Sequence, residues 1–137
     1  MADLVFADAA FFIALLLPRK DDLYELAHLQ WQELDPRQIA TSEPVLVEVL
    51  AHVSALGSDA RERAAMLVEY LRSDPFVTLV AQTPELFDDG LALYRARLDK
   101  QYSLTDCMSM TICTRLGIEE VLTHDRHFQQ EGFTILL

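Results

Sequence analysis

Ser103-Leu104-Thr105-Asp106-Cys107-Met108-Ser109-Met110-Thr111-Ile112-Cys113-Thr114-Arg115-Leu116-Gly117, continuing through Ile118-Glu119-Glu120-Val121-Leu122-Thr123-His124-Asp125, decides the fold. A hydroxyl residue opens a nearly all-apolar helix, and Gly117 ends it. The short apolar run Glu120-Val121-Leu122-Thr123 then reads as a strand, and an acid stands just beyond it. Upstream, Thr83-Pro84 opens a helix predicted to reach Asp99, preceded by a strand over Phe76-Val77-Thr78-Leu79-Val80 and a helix from about Asp59 to Arg72. Thr41-Ser42-Glu43-Pro44 supplies a hydroxyl cap and a first-turn proline for a helix over Val45 to Leu56 that stops at Gly57. Gln38-Ile39-Ala40 gives a very short strand before it. Leu23, Leu26, Ala27, Gln30, Trp31 and Leu34 recur at helical spacing within Asp21 to Leu34. At the start, Leu4-Val5-Phe6-Ala7 is a strand, and Ala9 to Leu17 is an apolar helix that Pro18 ends. Past Asp125, Arg126 to Gln129 reads as a short turn and Phe133-Thr134-Ile135-Leu136 as a last strand.

Strands and helices therefore alternate along the whole chain. Alternation of this kind calls for a parallel sheet covered by helices on both faces, with right-handed crossovers. The expectation is an α/β fold over residues 1–137, a single three-layer α/β/α domain with a mostly parallel central sheet. Open sheets of this type bind their ligands at the carboxyl ends of the strands.

Composition agrees with one domain. The 137 residues are 51% hydrophobic, enough for a continuous core, and no repeat or low-complexity tract interrupts them. The longest apolar run, Ala9 to Leu17, is too short to span a bilayer, so no membrane segment is expected. Asp3 and Asp8 occupy the place where a signal peptide carries basic residues, which makes the cytoplasm the expected location. Cys107 and Cys113 are six residues apart with no CxxC pair, and read as reduced core residues. Eleven basic residues against 22 acidic ones give a net charge of -11, which repels nucleic acid at long range. Bound divalent cations would neutralise part of it.

Four acids stand out. Asp8 directly follows the first strand, Asp125 follows the strand ending at Thr123, and Asp106 begins the helix leading into that strand. Each also has a structural explanation: Asp8 as a cap of the following helix, Asp125 as a cap of the turn at Arg126 to Gln129, and Ser103-Leu104-Thr105-Asp106 as a capping box. Glu48 lies roughly 140° around its helix from the face formed by Leu46, Val49, Leu50 and Val53. That places it by default on a solvated face, yet its helical neighbours Val45, Ala51, His52 and Ala55 are small or apolar and suit a cleft wall. As a set, clustered carboxylates repel one another unless a cation sits among them. Hard oxygen donors without zinc-spaced His or Cys select Mg²⁺ or Mn²⁺. A phospho-receiver domain shares this length, alternation and acid cluster, but it needs a lysine at the end of its last strand. The only lysines are Lys20 and Lys100, and neither is so placed.

Asp99-Lys100-Gln101-Tyr102-Ser103-Leu104-Thr105-Asp106-Cys107 and Thr123-His124-Asp125-Arg126-His127-Phe128, with the closing Gly132-Phe133, resemble the C-terminal half of a bacterial or archaeal PIN domain. Phe6-Ala7-Asp8 before the apolar helix resembles that family's opening motif, and Thr41-Ser42 through Glu48 its acid-bearing helix. The nearest subgroup in appearance is the stand-alone, VapC-like toxin type. The resemblance implies a metal-dependent endoribonuclease using Asp8, Glu48, Asp106 and Asp125, with Thr123 and Ser103 in polar support. One or two Mg²⁺ or Mn²⁺ ions, about 3.5–4 Å apart if there are two, would be held mainly by Asp8, Asp106 and Asp125, with Glu48 completing the set directly or through water. Attack by water would leave 3′-hydroxyl and 5′-phosphate ends. Ala9 departs from the family, many of whose members carry Ser or Thr immediately after the first Asp. A PIN-like binding or assembly module without catalysis is the alternative that Ala9 and the net acidity favour.

His124 and His127 flank Asp125 and are expected either to be structural or to support the metal ligands from behind. Arg19, Lys20, Arg95, Arg97, Lys100 and Arg126 are the candidates for holding RNA, with Arg95, Arg97 and Lys100 favoured because they precede the Asp106 helix. Phe11, Phe12, Leu15, Leu16, Tyr24 and Trp31 give the first two helices more apolar surface than one core face requires, unless all of it is core. By resemblance to toxin–antitoxin pairs an antitoxin segment would bind there, its basic end reaching the acids, and self-association is equally open.

Overall fold

Short, mostly apolar strands need cover on both faces, and the described residues supply it with seven helices. The structure, a computed structural model, describes residues 3–137. Its strands are β1 (Val5–Ala7), β2 (Ile39–Ser42), β3 (Thr78–Val80), β4 (Glu120–Leu122) and β5 (Thr134–Ile135). Its helices are α1 (Ala9–Leu16), α2 (Leu23–Glu33), α3 (Glu43–Val53), α4 (Ser58–Ser73), α5 (Pro84–Ala96), α6 (Leu104–Leu116) and α7 (Arg126–Gln130), with a single 3₁₀ turn at Pro36–Gln38.

The five strands form one sheet in the order β3-β2-β1-β4-β5, and every pairing is parallel. Phe6 lies opposite Ala40 on one side and Val121 on the other, so β1 is the buried centre of the sheet. Right-handed crossovers stepping from β1 to β2 to β3 place α1 to α4 on one face. The steps from β3 to β4 and on to β5 run the opposite way and place α5 to α7 on the other. The helix packing follows this division, α1 against α2 and α3, α3 against α4, and α5 against α6. The direction of winding reverses between β1 and β4, the topological switch point of the sheet. There α3 also meets α6 across the layers.

Local sequence signals set most boundaries. The amide of Val45 donates to Ser42 Oγ, and Pro44 occupies the first turn of α3. Strand β2 runs through Thr41 and Ser42, two residues that read in the sequence as helix start. An N-cap residue has extended backbone angles, so Ser42 serves both as the last ladder residue and as the cap. Thr41 Oγ1 donates to the Ala7 carbonyl at 2.8 Å, tying β2 to the end of β1. Helix α3 ends at Val53 rather than Leu56, and α5 ends at Ala96 rather than Asp99, where Arg97 leaves helical angles. Gly117, at φ 69°, closes α6 in the left-handed conformation that a residue with a Cβ resists.

The core lies between sheet and helices. Phe11, Phe12, Leu15 and Leu16 are buried within it, so the apolar excess of α1 is core and not a free surface. Trp31 is half-buried against Phe11 and Tyr70. Cys107 and Cys113 are free thiols in the same core, as expected, and burial pushes them up to about 11 and about 12. Gly90 lets α5 approach α6 closely; a Cβ there would stand 2.6 Å from Met108 Cγ and 3.3 Å from the Met108 backbone nitrogen and Cα. No described helix is long and apolar enough to cross a membrane.

Candidate active site

The switch point carries the acids. Asp8 continues β1 by one residue, its amide donating to the Leu122 carbonyl of β4. Asp125 stands three residues beyond β4, and its own amide donates to Thr123 Oγ1 at 3.0 Å. That hydroxyl in turn donates to Asp8 Oδ2 at 3.0 Å. Thr123 is fully buried, so one side chain fixes both strand-end acids at once. Asp106 comes from the third turn-forming segment, the start of α6. Ser103 Oγ accepts from the Asp106 amide, and the Asp106 carboxylate accepts from the Ser103 amide, the reciprocal box anticipated in the sequence.

The capping explanations thus hold for Asp106 and also for Asp125, whose Oδ1 accepts from the His127 amide at 2.9 Å. Asp8 is different. It occupies the N-cap of α1 but makes no capping hydrogen bond with its side chain, and it is almost fully buried. Helix demands do not account for a carboxylate in that place.

Glu48 comes in from α3. The buried face of that helix is Val45, Leu46, Val49 and Val53, whereas Leu50, read from the sequence as core, is exposed. The core face is therefore turned toward Glu48, which stands half-buried at the edge of that face next to buried Val45. The electrostatics show the four acids as one group. Burial pushes the Asp8 carboxyl up to about 7, the charge of Asp106 adds to this, the Thr123 hydroxyl opposes it, and Glu48 contributes further. Burial raises Glu48 above the ordinary glutamate value, helped by the charges of Asp106 and Asp125. Asp106 is raised as well, chiefly by burial, with the Ser103 amide and His127 pulling against it.

No Lys or Arg among the described residues forms a salt bridge to any of the four. The basic partner is instead His127, from the first turn of α7. Its Nδ1 lies 3.1 Å from Asp106 Oδ2 and 3.3 Å from Asp125 Oδ1. One donor atom from each of Asp106, Asp125 and His127 falls within 4.8 Å of the others, close enough to share an ion. Of the two roles expected for His127, structural or supporting the ligands, its contacts with both acids fit the second. His124 is exposed. Asp8 and Glu48 stand outside that group of three, but with Asp8, Glu48 and Asp106 raised by burial and no Lys or Arg salt bridge to the acids among the described residues, the donor set fits a divalent cation such as Mg²⁺ or Mn²⁺.

Among the cations considered for RNA, Arg97 is engaged elsewhere. Its guanidinium grips Glu131 through Nε at 3.0 Å and Nη2 at 2.9 Å, and Tyr102 donates its hydroxyl to the same carboxylate. Arg95 and Arg126 are exposed, and Lys100 is exposed with Asp99 at 3.7 Å.

The sequence model of the PIN domain matches residues 5–133. The chain belongs to the PIN domain family. Solved structures agree in fold. Mycobacterium tuberculosis VapC20, described as a Sarcin-Ricin loop cleaving toxin, superposes with a TM-score of 0.82 at 24% identity, over 95% of this chain and 96% of that one. A toxin-antitoxin complex from Klebsiella pneumoniae gives a TM-score of 0.67 at 14% identity, over 97% and 96% of the two chains. FitAcB from Neisseria gonorrhoeae gives 0.66 at 14% identity, over 98% and 97%. A search of curated protein sequences returned no match. The PIN domain described here thus shares the whole fold with these proteins, and its four acids lie where a parallel sheet places its chemistry.

Proposed function

We propose that this PIN domain is a divalent-metal-dependent endoribonuclease, the toxin of a toxin–antitoxin pair. The observation that carries the reading is the meeting of donor atoms of Asp106, Asp125 and His127 within 4.8 Å at the switch point, beside buried Asp8 and half-buried Glu48, with no Lys or Arg salt bridge to these acids among the described residues. Asp8, Asp106 and Asp125 would hold Mg²⁺ or Mn²⁺, one or two ions, and Glu48 would complete the set. Such a cation supplies Lewis acidity that activates water and offsets charge on a phosphodiester. Asp8, raised to about 7 without the cation, is the carboxylate that most needs it to remain ionised at neutral pH. Thr123 holds Asp8 in position through its hydroxyl, and Ser103 fixes the rotamer of Asp106. Arg95, Lys100 and Arg126, with Lys20, are exposed side chains that would meet the RNA backbone; Arg97 would have to leave Glu131 first, and Arg19 would have to leave Asp21. Ala9, buried after Asp8, supplies no hydroxyl, so orientation of water falls to the acids.

An antitoxin partner is proposed from the toxin–antitoxin complexes among the similar structures. The deciding experiment is cleavage of structured RNAs with Mg²⁺ or Mn²⁺ by wild type, Asp8→Asn and Asp106→Asn. Cleavage by wild type alone, leaving 5′-phosphate ends, is the expected result. Equal cleavage by all three would mean a contaminating nuclease and remove the assignment, and absence of metal binding by calorimetry would favour a non-catalytic binding module.

A further inference from the structure

His127 is the one basic side chain built into the acid cluster, and its ring is held from two sides. Its backbone amide is fixed on Asp125 Oδ1 at 2.9 Å, which ties the start of α7 to that acid. The ring of buried Tyr102 packs against the imidazole with centroids 5.5 Å apart. Tyr102 is anchored in turn by Glu131, itself gripped by the two-pronged Arg97 guanidinium. This scaffold aims Nδ1 at Asp106 and Asp125, 3.1 and 3.3 Å away.

Adjacent donors on an octahedral ion bound at 2.0–2.2 Å stand about 3 Å apart, so those two separations suit neighbouring positions around one ion as well as they suit hydrogen bonds. The two occupants differ in what they select. An all-carboxylate site offers only hard oxygen donors, which serve Mg²⁺ and Mn²⁺ alike. A neutral imidazole adds a borderline donor that first-row transition ions accept readily and Mg²⁺ does not. We infer that His127 is a nitrogen ligand of the metal site, joining Asp106 and Asp125, and that it biases the site toward Mn²⁺ over Mg²⁺. This rests on the metal-dependent reading of the same acids.

The test uses the full chain, stripped of metal, and reads the metal directly. Wild type labelled with nitrogen-15 histidine is loaded with Mn²⁺ and studied by pulsed electron paramagnetic resonance. A directly coupled histidine nitrogen is expected, retained in His124→Ala and lost in His127→Ala. By calorimetry, His127→Ala weakens Mn²⁺ binding by about 10- to 100-fold, the range for disrupting a partner of a metal ligand or more. Mg²⁺ binding changes by less than about threefold, because that ion gains little from nitrogen. Mn²⁺ bound to wild type without a coupled histidine nitrogen would overturn the inference while leaving the metal-dependent nuclease intact, and this measurement needs no variant. Equal weakening of both ions in His127→Ala would likewise overturn it, showing that His127 only orients the acids. Failure of wild type to bind either ion would remove the metal reading and this inference together.

Discussion

Replacing Asp8 with Asn should stabilise the metal-free protein at alkaline pH, an effect opposite to that of most buried substitutions. The Asp8 carboxyl ordinarily titrates at 3.8, and in the fold it titrates at about 7. Below 3.8 it is protonated whether the chain is folded or not. Between 3.8 and about 7 the folded state keeps a proton that the unfolded state has released, so stability declines as pH rises through this window and levels off above it. Each pH unit is worth about 1.4 kcal/mol well below the folded value and less on approaching it, so raising the pH from 5 to 7 removes about 2 kcal/mol through this group alone. Asn fills the same space, can still accept the Thr123 hydroxyl, and carries no proton to lose. The assay is urea unfolding in a chelator at pH 5, 6, 7 and 8, wild type against Asp8→Asn. The difference in unfolding free energy should move in favour of Asn by about 2–3 kcal/mol between pH 5 and pH 8. Added Mn²⁺ should then restore wild type at pH 8 and help Asp8→Asn far less, since an ion that binds only the folded state stabilises it by mass action. Parallel pH curves for the two proteins, or a variant that loses ground as pH rises, would refute the reasoning.

Three further outcomes follow from particular contacts. Asp106→Asn should cut RNA cleavage by at least about a hundredfold, since removing a metal carboxylate withdraws several kcal/mol of transition-state stabilisation, whereas half-exposed Glu48→Gln should cost about tenfold; initial rates on one RNA compare them. Thr123→Val leaves the Asp125 amide without its acceptor and Asp8 without its donor, and should lower stability by about 1–3 kcal/mol in urea unfolding. Gly90→Ala sets a Cβ against Met108, where the nearest backbone atoms leave no room; the overpacking cost of about 1–3 kcal/mol should exceed the gain in helix propensity of about 1 kcal/mol and lower the thermal midpoint.

The alternation of elements was legible because each carries its own signal: Ser42 and Pro44 start α3, Gly117 ends α6, and the strands are apolar runs. What the sequence could not show is side-chain direction within one turn of helix. The face of α3 was read with Leu50 inside, and the structure puts Leu50 outside and Val45 inside, which is what brings Glu48 within reach of Asp106. The placement of Asp8 and Asp125 was legible because each stands just beyond a strand on one sheet edge, and that of Asp106 because Ser103 marks the start of its helix. His127 was not, because its role depends on a five-residue helix whose orientation is set by Asp125 and Tyr102, neither of which is implied by periodicity. Arg97 was misjudged for the same reason: Glu131 is 34 residues away in sequence, and no local pattern announces that pair.

The hydrogen bond from Thr123 to Asp8 joins residues 115 positions apart. Its strands are neighbours in the sheet yet are separated by most of the chain, so the acids cannot meet until α5, α6 and β4 have docked onto what precedes them. Closing so long a loop is slow compared with forming any helix. The strand-end acids Asp8 and Asp125 are therefore brought together only by the longest-range pairing in the sheet, so the site depends on the completed fold and not on any one local segment of the chain.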